Sequence, residues 1–347
     1  MCCLRLPSWV KLTLVAVGVL VHATFARGDD PASKPIRVGV IGLDTSHSLA
    51  FTKILNDANA PADVAHCRVV AAYPYGSRDI ESSASRIPGY TAEIEKLGVE
   101  IVPSIDVLLT KVDAVLLETN DGRPHLEQVL PVLKAGKRVF IDKPIAASLT
   151  DAVAIFAAAE KYQTPTFSSS SLRYGQATQA ARAGEYGRIV SCETFSPCSL
   201  EKTHPDLFWY GIHGCESLFT VMGTGCETVR RGERDGLIEV TGRWKGDRRG
   251  TYREGKGYGG TATNADGESF PVGKYDGYRP LVVEIVKYFR TGETPIDPAE
   301  TLELYAFMEA ADESKRQGGA EVKLSDVLAK AEKEAEARLA EIGEIGK

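Results

Sequence analysis

Two side chains in the sequence have the chemistry needed to move a proton near neutral pH. Lys143 follows the apolar stretch Arg138–Asp142, "RVFID", and lies where a buried strand would end. Loss of water at such a position disfavours the charged ammonium, so the amine becomes a usable base. His213 lies in "YGIHGCE", and imidazole titrates near neutrality without help. A side chain that can accept or return a proton near neutral pH is suited to acid–base catalysis, so Lys143 and His213 are the candidate catalytic residues.

A second group of candidate residues lies in Arg37–Phe51, "RVGVIGLDTSHSLAF". An apolar run that breaks at a glycine before a helix is typical of the phosphate-binding turn in dinucleotide sites. Gly42 fits the first glycine of that turn, while Asp44 and His47 stand where the second and third are expected. Backbone N–H groups at the start of the helix attract an anion. The candidate cofactor contacts here are Gly42, Asp44, Thr45, Ser46 and His47.

Two roles are open for Asp44. Aspartate is among the strongest N-cap residues, worth about 1 kcal/mol, and a capping carboxylate would occupy the helix N–H groups and repel a phosphate. If Thr45 or Ser46 caps the helix instead, Asp44 is free to contact a sugar hydroxyl.

The stretch "AAYPYGSRDI" contains no acid before Asp79, although an acid normally receives the adenosine ribose hydroxyls at this position. Ser77 and Arg78 would suit a 2′-phosphate, which favours NADP over NAD if either binds. The alternative is a simple turn formed around Pro74 and Gly76.

Four further polar residues are candidates for the same site. Asn120 follows another apolar run and is a candidate cofactor contact. Arg173 either binds a carboxylate or phosphate of the substrate or pairs with an acid in the core. Tyr210 and Glu216 flank His213, with Glu216 one turn later on the same helix face. Arg173, Tyr210 and Glu216 are therefore the candidate substrate contacts.

The elements that must position these residues alternate between strand and helix. Six short apolar runs are predicted strands: Ile36–Ile41, Cys67–Tyr73, Val99–Val102, Ala114–Glu118, Arg138–Asp142 and Pro165–Ser169. Helical spacing between them predicts βαβ units and an α/β, Rossmann-like, doubly wound parallel sheet. Ligands bind such sheets beyond the carboxyl ends of the strands, where Gly42, Ser77, Asn120 and Lys143 lie.

After Arg173 the pattern changes to strand-like alternation, interrupted by the helix that carries His213. This grouping predicts a C-terminal α+β domain with an antiparallel sheet. The glycine-rich stretch Gly255–Gly277 is expected to be a loop or short hairpins. The predicted organisation is a signal peptide (1–26), a Rossmann-like dinucleotide-binding domain (35–172), a substrate and oligomerisation domain (173–325) and a charged C-terminal helix (326–347).

The N-terminus has the pattern of a secretory signal peptide. Arg5 and Lys11 precede the apolar run Leu12–Val21, and small residues follow at Thr24 and Ala26. We therefore expect export to a periplasm or the extracellular space, without a stable membrane anchor. The net charge of -6 argues against a nucleic-acid partner, since nothing would neutralise phosphates over a broad surface.

Of the seven cysteines, Cys2 and Cys3 would leave with the signal peptide. An oxidising compartment permits a Cys192–Cys198 or a Cys215–Cys226 disulfide, and buried free thiols are equally compatible with the sequence. The spacing of His and Cys suggests no metal site.

Five segments resemble, in this order, the Gfo/Idh/MocA family of glucose–fructose oxidoreductase and inositol dehydrogenase. They are "IRVGVIG", "PHLEQVLPVLKAGKRVFIDKPIAAS", "TPTFSSSSLRYG", "YGIHGCESLFTVMG" and "RTGETPIDPAETLELYAFMEAADESKRQGG". The resemblance implies NAD(P)-dependent oxidation of a sugar or polyol hydroxyl, with Lys143 and His213 sharing the acid–base work, in a homo-oligomer. Asp142 replaces the family's glutamate before the lysine, and Trp209 replaces an aspartate four residues before the histidine.

The leading hypothesis is therefore an exported NAD(P)-dependent oxidoreductase that acts on a carbohydrate-like small molecule. Two alternatives keep the same fold: a non-redox sugar-binding protein, and a protein that uses bound NAD transiently to cleave a glycoside. Export favours the non-redox alternative more than usual, because nicotinamide cofactors are scarce outside the cytoplasm.

Overall fold

The first half of the chain folds into a six-stranded parallel sheet, as its alternating strand and helix pattern predicts. The strands are β1 (Ile36–Ile41), β2 (Cys67–Tyr73), β3 (Glu100–Ile101), β4 (Ala114–Leu117), β5 (Arg138–Asp142) and β6 (Phe167–Ser169). Their order is β3-β2-β1-β4-β5-β6, so the winding reverses between β1 and β4. All four residues of β4 are buried, which explains why the central strands are continuous apolar runs.

Helices cover both faces of this sheet. They are α1 (Ser46–Leu55), α2 (Glu81–Ala84), α3 (Ile87–Lys96), α4 (Ile105–Leu109), α5 (His125–Lys134) and α6 (Leu149–Lys161). Apolar side chains of α4, α5 and α6 share one core, and those of α1 and α3 share another. Ser104 and Ser148 cap α4 and α6 by accepting a backbone N–H bond, which fixes where these helices begin.

The second half of the chain forms a seven-stranded sheet. Its strands are β7 (Ile189–Ser196), β8 (Cys226–Arg234), β9 (Leu237–Trp244), β10 (Arg248–Glu254), β11 (Gly259–Asn264), β12 (Ser269–Val272) and β13 (Val322–Lys323), in the order β12-β11-β7-β10-β9-β8-β13. The predicted antiparallel sheet is wrong at one position, because β7 and β10 pair in parallel. The chain between them is long and contains a helix, and such a crossover permits parallel pairing. The β11–β12 hairpin lies in the glycine-rich stretch, where short hairpins were one expectation.

Five helices accompany this second sheet: α7 (Gln176–Arg182), α8 (Ile212–Met222), α9 (Arg279–Thr291), α10 (Pro298–Arg316) and α11 (Leu324–Glu341). A π-helical turn, Leu207–Gly211, leads directly into α8. α9 returns to the first sheet, where Leu281 and Ile285 share a core with Phe140 and Phe167. α11 packs against α6 through its apolar stripe, so the C-terminal helix is part of the fold. From Pro35 onward the chain accordingly forms one compact unit.

The structure is a computed structural model that describes residues 34–343. The predicted signal peptide, residues 1–26, lies outside this range, so the signal peptide and export stay predictions. Within the range, every helix is too short or too polar to cross a membrane. All five cysteines from Cys67 to Cys226 are free and buried, so neither conceivable disulfide is formed.

Gly42→Ala tests the tight turn after β1. Gly42 has a φ of +96°, and a methyl group there would lie 2.4 Å from the backbone nitrogen of Thr119. Left-handed strain and overpacking together are expected to lower the free energy of unfolding by about 2–5 kcal/mol in urea denaturation. Gly98, with a φ of +78° and open space around it, provides the control, and Gly98→Ala is expected to cost about 1–2 kcal/mol. Equal losses in the two variants would contradict the close approach of β1 and β4.

Candidate active site

A cavity of about 390 Å³ lies between the carboxyl ends of the first sheet and α8. It brings together seven of the residues predicted from the sequence: Thr45, Ser46, His47, Asn120, Lys143, Tyr210 and His213. A larger cavity of about 550 Å³ lies between α6, α10 and α11, but it is lined mainly by charged surface side chains and contains none of the predicted residues. The smaller cavity is therefore the candidate active site.

Lys143 and His213 both line this cavity and are only 6% exposed. Nδ1 of His213 lies 2.7 Å from Oγ of Ser170, while Nε2 has no hydrogen bond to any described residue. Burial, together with the nearby charges of Lys143 and His47, holds the pKa of His213 well below its ordinary value. The imidazole is therefore neutral near pH 7 and able to accept a proton.

Arg173 and Glu216 lie behind the cavity, so the substrate contacts predicted for them are not supported by the geometry. Arg173 is 2% exposed, and its guanidinium bonds Glu216 at 2.7 Å and Glu300 at 2.5 Å. Glu216 also accepts bonds from the hydroxyl of Ser169 and the backbone N–H of Ser170. Since Ser170 contacts His213, this ion-pair network positions the histidine. The pairing of Arg173 with core acids was the other alternative left open by the sequence.

At the start of α1, the cap is Thr45, whose hydroxyl accepts the N–H of His47, so the capping role considered for Asp44 is wrong. Asp44 is fully buried and accepts bonds from the hydroxyl of Ser83 and the N–H of Asn120. Burial raises its pKa to about 6. Asp44 is not among the residues that line the cavity, and Ser83 and Asn120 each engage one oxygen of its carboxylate, so its role is structural.

Ser77 and Arg78 lie at a separate, more open cavity rather than at the one that holds Lys143. The hydroxyl of Ser77 is buried and donates to Asp121 at 2.5 Å. Arg123 bridges Asp121 and Asp79 on the same wall. The hydroxyl of Ser77 is therefore already bonded within the protein, whereas the side chain of Arg78 is exposed.

The residues fit a dinucleotide at its phosphate and nicotinamide end. Gly42 provides a turn that no larger residue can adopt without a clash, and the exposed Ser46 opens the start of α1 into the cavity. Helix N-termini of this kind bind phosphate through backbone N–H groups. Asn120 and Lys143 line the same space from the ends of β4 and β5.

An aromatic wall of the cavity was not predicted. Tyr258, Tyr275 and Tyr278 come from the glycine-rich stretch and the residue just after it, and they line the cavity with Tyr210 and Trp209. The hydroxyls of Tyr210 and Tyr258 lie 3.1 Å apart, and the ring of Tyr278 meets His47 edge-on at 4.8 Å. Rings that combine an apolar face with a hydroxyl suit a ligand that itself carries C–H faces and hydroxyls. The signal in the sequence that could have predicted this wall was the recurrence of tyrosine within the glycine-rich stretch.

A second feature missed by the sequence analysis is a group of three buried side chains. His47, Glu118 and Asp142 each offer one atom able to bind a metal ion, and these atoms lie within 4.8 Å of one another. Their spacing in the sequence gives no metal-binding pattern, so the sequence analysis did not single out this cluster.

Residues 36–169 match the sequence profile of GFO_IDH_MocA, an oxidoreductase family with an NAD-binding Rossmann fold. A curated relative, inositol 2-dehydrogenase 3 from Saccharopolyspora erythraea, is 32% identical over 125 residues, which are 35% of this chain and 31% of the relative. The chain therefore matches about a third of the length of that protein.

Two solved structures resemble most of the described fold. A probable dehydrogenase from Thermotoga maritima aligns with a TM-score of 0.67 at 18% identity, covering 84% of this chain and 100% of the other. A myo-inositol dehydrogenase from Lactobacillus casei, solved with NAD(H) and myo-inositol, aligns with a TM-score of 0.65 at 15% identity, covering 83% and 96%. At these identities the similarity establishes the fold, and it confirms the predicted Rossmann-like sheet followed by a second domain.

Proposed function

Because residues 36–169 belong to the Gfo/Idh/MocA oxidoreductase family, we propose that the protein is an NAD-dependent oxidoreductase acting on a hydroxyl group of a sugar or polyol. The proposal rests on one observation above all: Lys143 and His213 meet in a single cavity with the start of α1. The curated relative is named for inositol, so cyclic polyols are the first substrates to test.

The cofactor would be held at the start of α1, by the backbone N–H group of Ser46 and by the side chain of Asn120 after β4. Bound NAD supplies the acceptor for the hydride that leaves the substrate carbon. The cavity around Ser77 and Arg78 contains three acids, Asp79, Asp121 and Glu127, against two arginines. This balance disfavours a 2′-phosphate, so we propose NAD, although Ser77 and Arg78 alone suggested NADP.

His213 and Lys143 share the proton transfer in this proposal. The neutral imidazole of His213 accepts the hydroxyl proton at Nε2, the nitrogen that Ser170 leaves unbonded. The ammonium of Lys143 stabilises negative charge as it develops on the same oxygen, and it passes one proton to solvent as it takes the substrate's proton from His213. Glu216 accepts a hydrogen bond from the backbone N–H of Ser170, and this contact keeps the imidazole of His213 in one orientation.

Addition of NAD+ or NADH to the purified protein is expected to raise its stability, because a ligand that binds only the folded state shifts unfolding. At one hundred times the dissociation constant the gain is about 2.7 kcal/mol, which a thermal melt detects. NADP+ and NADPH serve as matched comparisons and are expected to give smaller shifts at equal concentration. If all four nucleotides leave the melt unchanged and mass spectrometry finds no bound nucleotide, the redox proposal fails.

Two other outcomes would identify the alternatives. Stabilisation by sugars without any effect of nucleotides would favour a non-redox sugar-binding protein. Cleavage of a glycoside with bound NAD but without net reduction of the cofactor would favour transient use of NAD. A homo-oligomer and export remain predictions of the sequence.

A further inference from the structure

We propose that His47, Glu118 and Asp142 bind a divalent transition-metal ion at the base of the candidate active site. One nitrogen of His47 and one carboxylate oxygen of each acid lie within 4.8 Å of one another. His47 also lines the cavity, whereas Glu118 and Asp142 are fully buried beneath it. The three residues thus form a compact set of ligands on the sheet side of the cavity.

The strongest support is that these carboxylates lack partners. Neither oxygen of Glu118 has a hydrogen bond in the described part of the chain, and Oδ1 of Asp142 also has none. Both side chains are 0% exposed, so water in bulk solution does not solvate them. Buried carboxylates without partners are costly, and most such groups in proteins are paired or coordinate a metal. A cation between them would supply the missing interaction.

The charge of Lys143 acts on both carboxylates from nearby, but it does not bond either of them directly. Lys143 follows Asp142 in the chain, but its ammonium forms no ion pair with either carboxylate in the described structure. Among the described residues, the one side-chain hydrogen bond to these carboxylates is between Nδ1 of His47 and Oδ2 of Asp142, at 2.7 Å. That contact satisfies a single oxygen and leaves Glu118 without a partner.

The chain brings the three ligands together through the topology of the first sheet. His47 lies in the first turn of α1, just after β1, while Glu118 follows β4 and Asp142 ends β5. Because β1, β4 and β5 are neighbours and parallel, their carboxyl ends meet at one edge. His47 stands where a dinucleotide fingerprint has glycine, so its imidazole is an addition at this edge.

The donor set indicates which ions fit. One imidazole and two carboxylates suit Zn²⁺ or Mn²⁺, whereas Ca²⁺ takes six to eight oxygen ligands. Bonds of about 2.0–2.2 Å at tetrahedral angles place ligand atoms roughly 3.3–3.6 Å apart, so atoms that now lie within 4.8 Å of one another need to close by about 1 Å at most. Three protein ligands leave a position open for water or a substrate oxygen, and the cavity beside His47 and Lys143 gives access to it.

The test is a direct binding measurement on the purified protein after treatment with a chelator, without any nucleotide. Titration calorimetry with Zn²⁺ and, separately, Mn²⁺ is expected to show one ion per chain for at least one of them, with a matching rise in melting temperature. Glu118→Gln keeps the size of the side chain but weakens an ion ligand, and we expect an affinity loss of about 100-fold or more.

Asp312→Asn is the matched control, since Asp312 is a buried acid of the second half of the chain whose Oδ1 is bonded by Arg231. It is expected to bind the metal as the wild type does. If Glu118→Gln does not fold, His47→Gln provides the second ligand variant. Failure of the wild-type protein to bind one equivalent of either ion overturns the proposal, as does wild-type affinity in a folded ligand variant. Because no NAD or substrate is present, the result is independent of the proposed oxidoreductase activity.

Discussion

Lys143→Ala is expected to lower kcat by about 10²–10⁴-fold, the contribution typical of a positioned acid–base group. The ammonium lines the cavity with His213 and forms no ion pair within the described structure, so its removal is not expected to unfold the protein. The measurement is the rate of NADH formation with a cyclic polyol found by screening. Circular dichroism and a thermal melt would confirm that the variant is folded.

Lys143→Arg separates charge from proton transfer. Arginine keeps the positive charge but cannot lose its proton near neutral pH. If Lys143 acts only by electrostatic stabilisation, Lys143→Arg keeps much of the activity, whereas a proton-transfer role predicts a loss close to that of alanine. His213→Ala is expected to show a loss of similar size, and the double variant should lose less than the product of the two, because the residues act as a unit. Wild-type kcat in a folded Lys143→Ala would remove Lys143 from the mechanism.

The positions of Asn120, Lys143 and the start of α1 follow from the sequence because one rule governs them. Each lies at the carboxyl end of a parallel strand, and such ends meet at one edge of the sheet. The strands themselves are recognisable because burial on both faces makes them continuous apolar runs. This part of the site is therefore determined by local pattern and by topology.

Other features of the site depend on contacts between residues far apart in the chain. The sequence left the role of Arg173 open because one of its partners, Glu300, is 127 residues away. The sequence predicts that Glu118 ends a strand. The residues next to it in the chain do not indicate that His47 and Asp142 lie close to it in the fold. The cap of α1 was undecided because Asp44 and Thr45 are both N-cap residue types, and the hydrogen bond that engages Asp44 comes from Ser83, 39 residues away.

Arg173→Met is expected to lower the free energy of unfolding by about 3–5 kcal/mol, which is a large part of the stability of a typical protein. Arg173 is 2% exposed and lies between two carboxylates that are themselves nearly inaccessible. Glu300 keeps a second partner in Arg182, whose two terminal nitrogens each lie 2.9 Å from it. Glu216 loses its only ion pair in the described structure and becomes a buried, uncompensated charge. Urea denaturation near neutral pH measures this loss.

Arg182→Met is the matched control, because Arg182 also bonds Glu300 but is one-third exposed. Its loss is expected to be about 1 kcal/mol or less, as for exposed ion pairs. Adding Glu216→Gln to Arg173→Met removes the uncompensated charge, so the double variant should be more stable than Arg173→Met alone. Equal losses in the two arginine variants would contradict a special role for the buried pair. The Arg173–Glu216 pair also holds Ser170 against His213. A folded Arg173→Met is therefore expected to have a lower kcat, whereas Arg182→Met is expected to keep the wild-type kcat. This difference in kcat separates positioning of the histidine from an effect on stability alone.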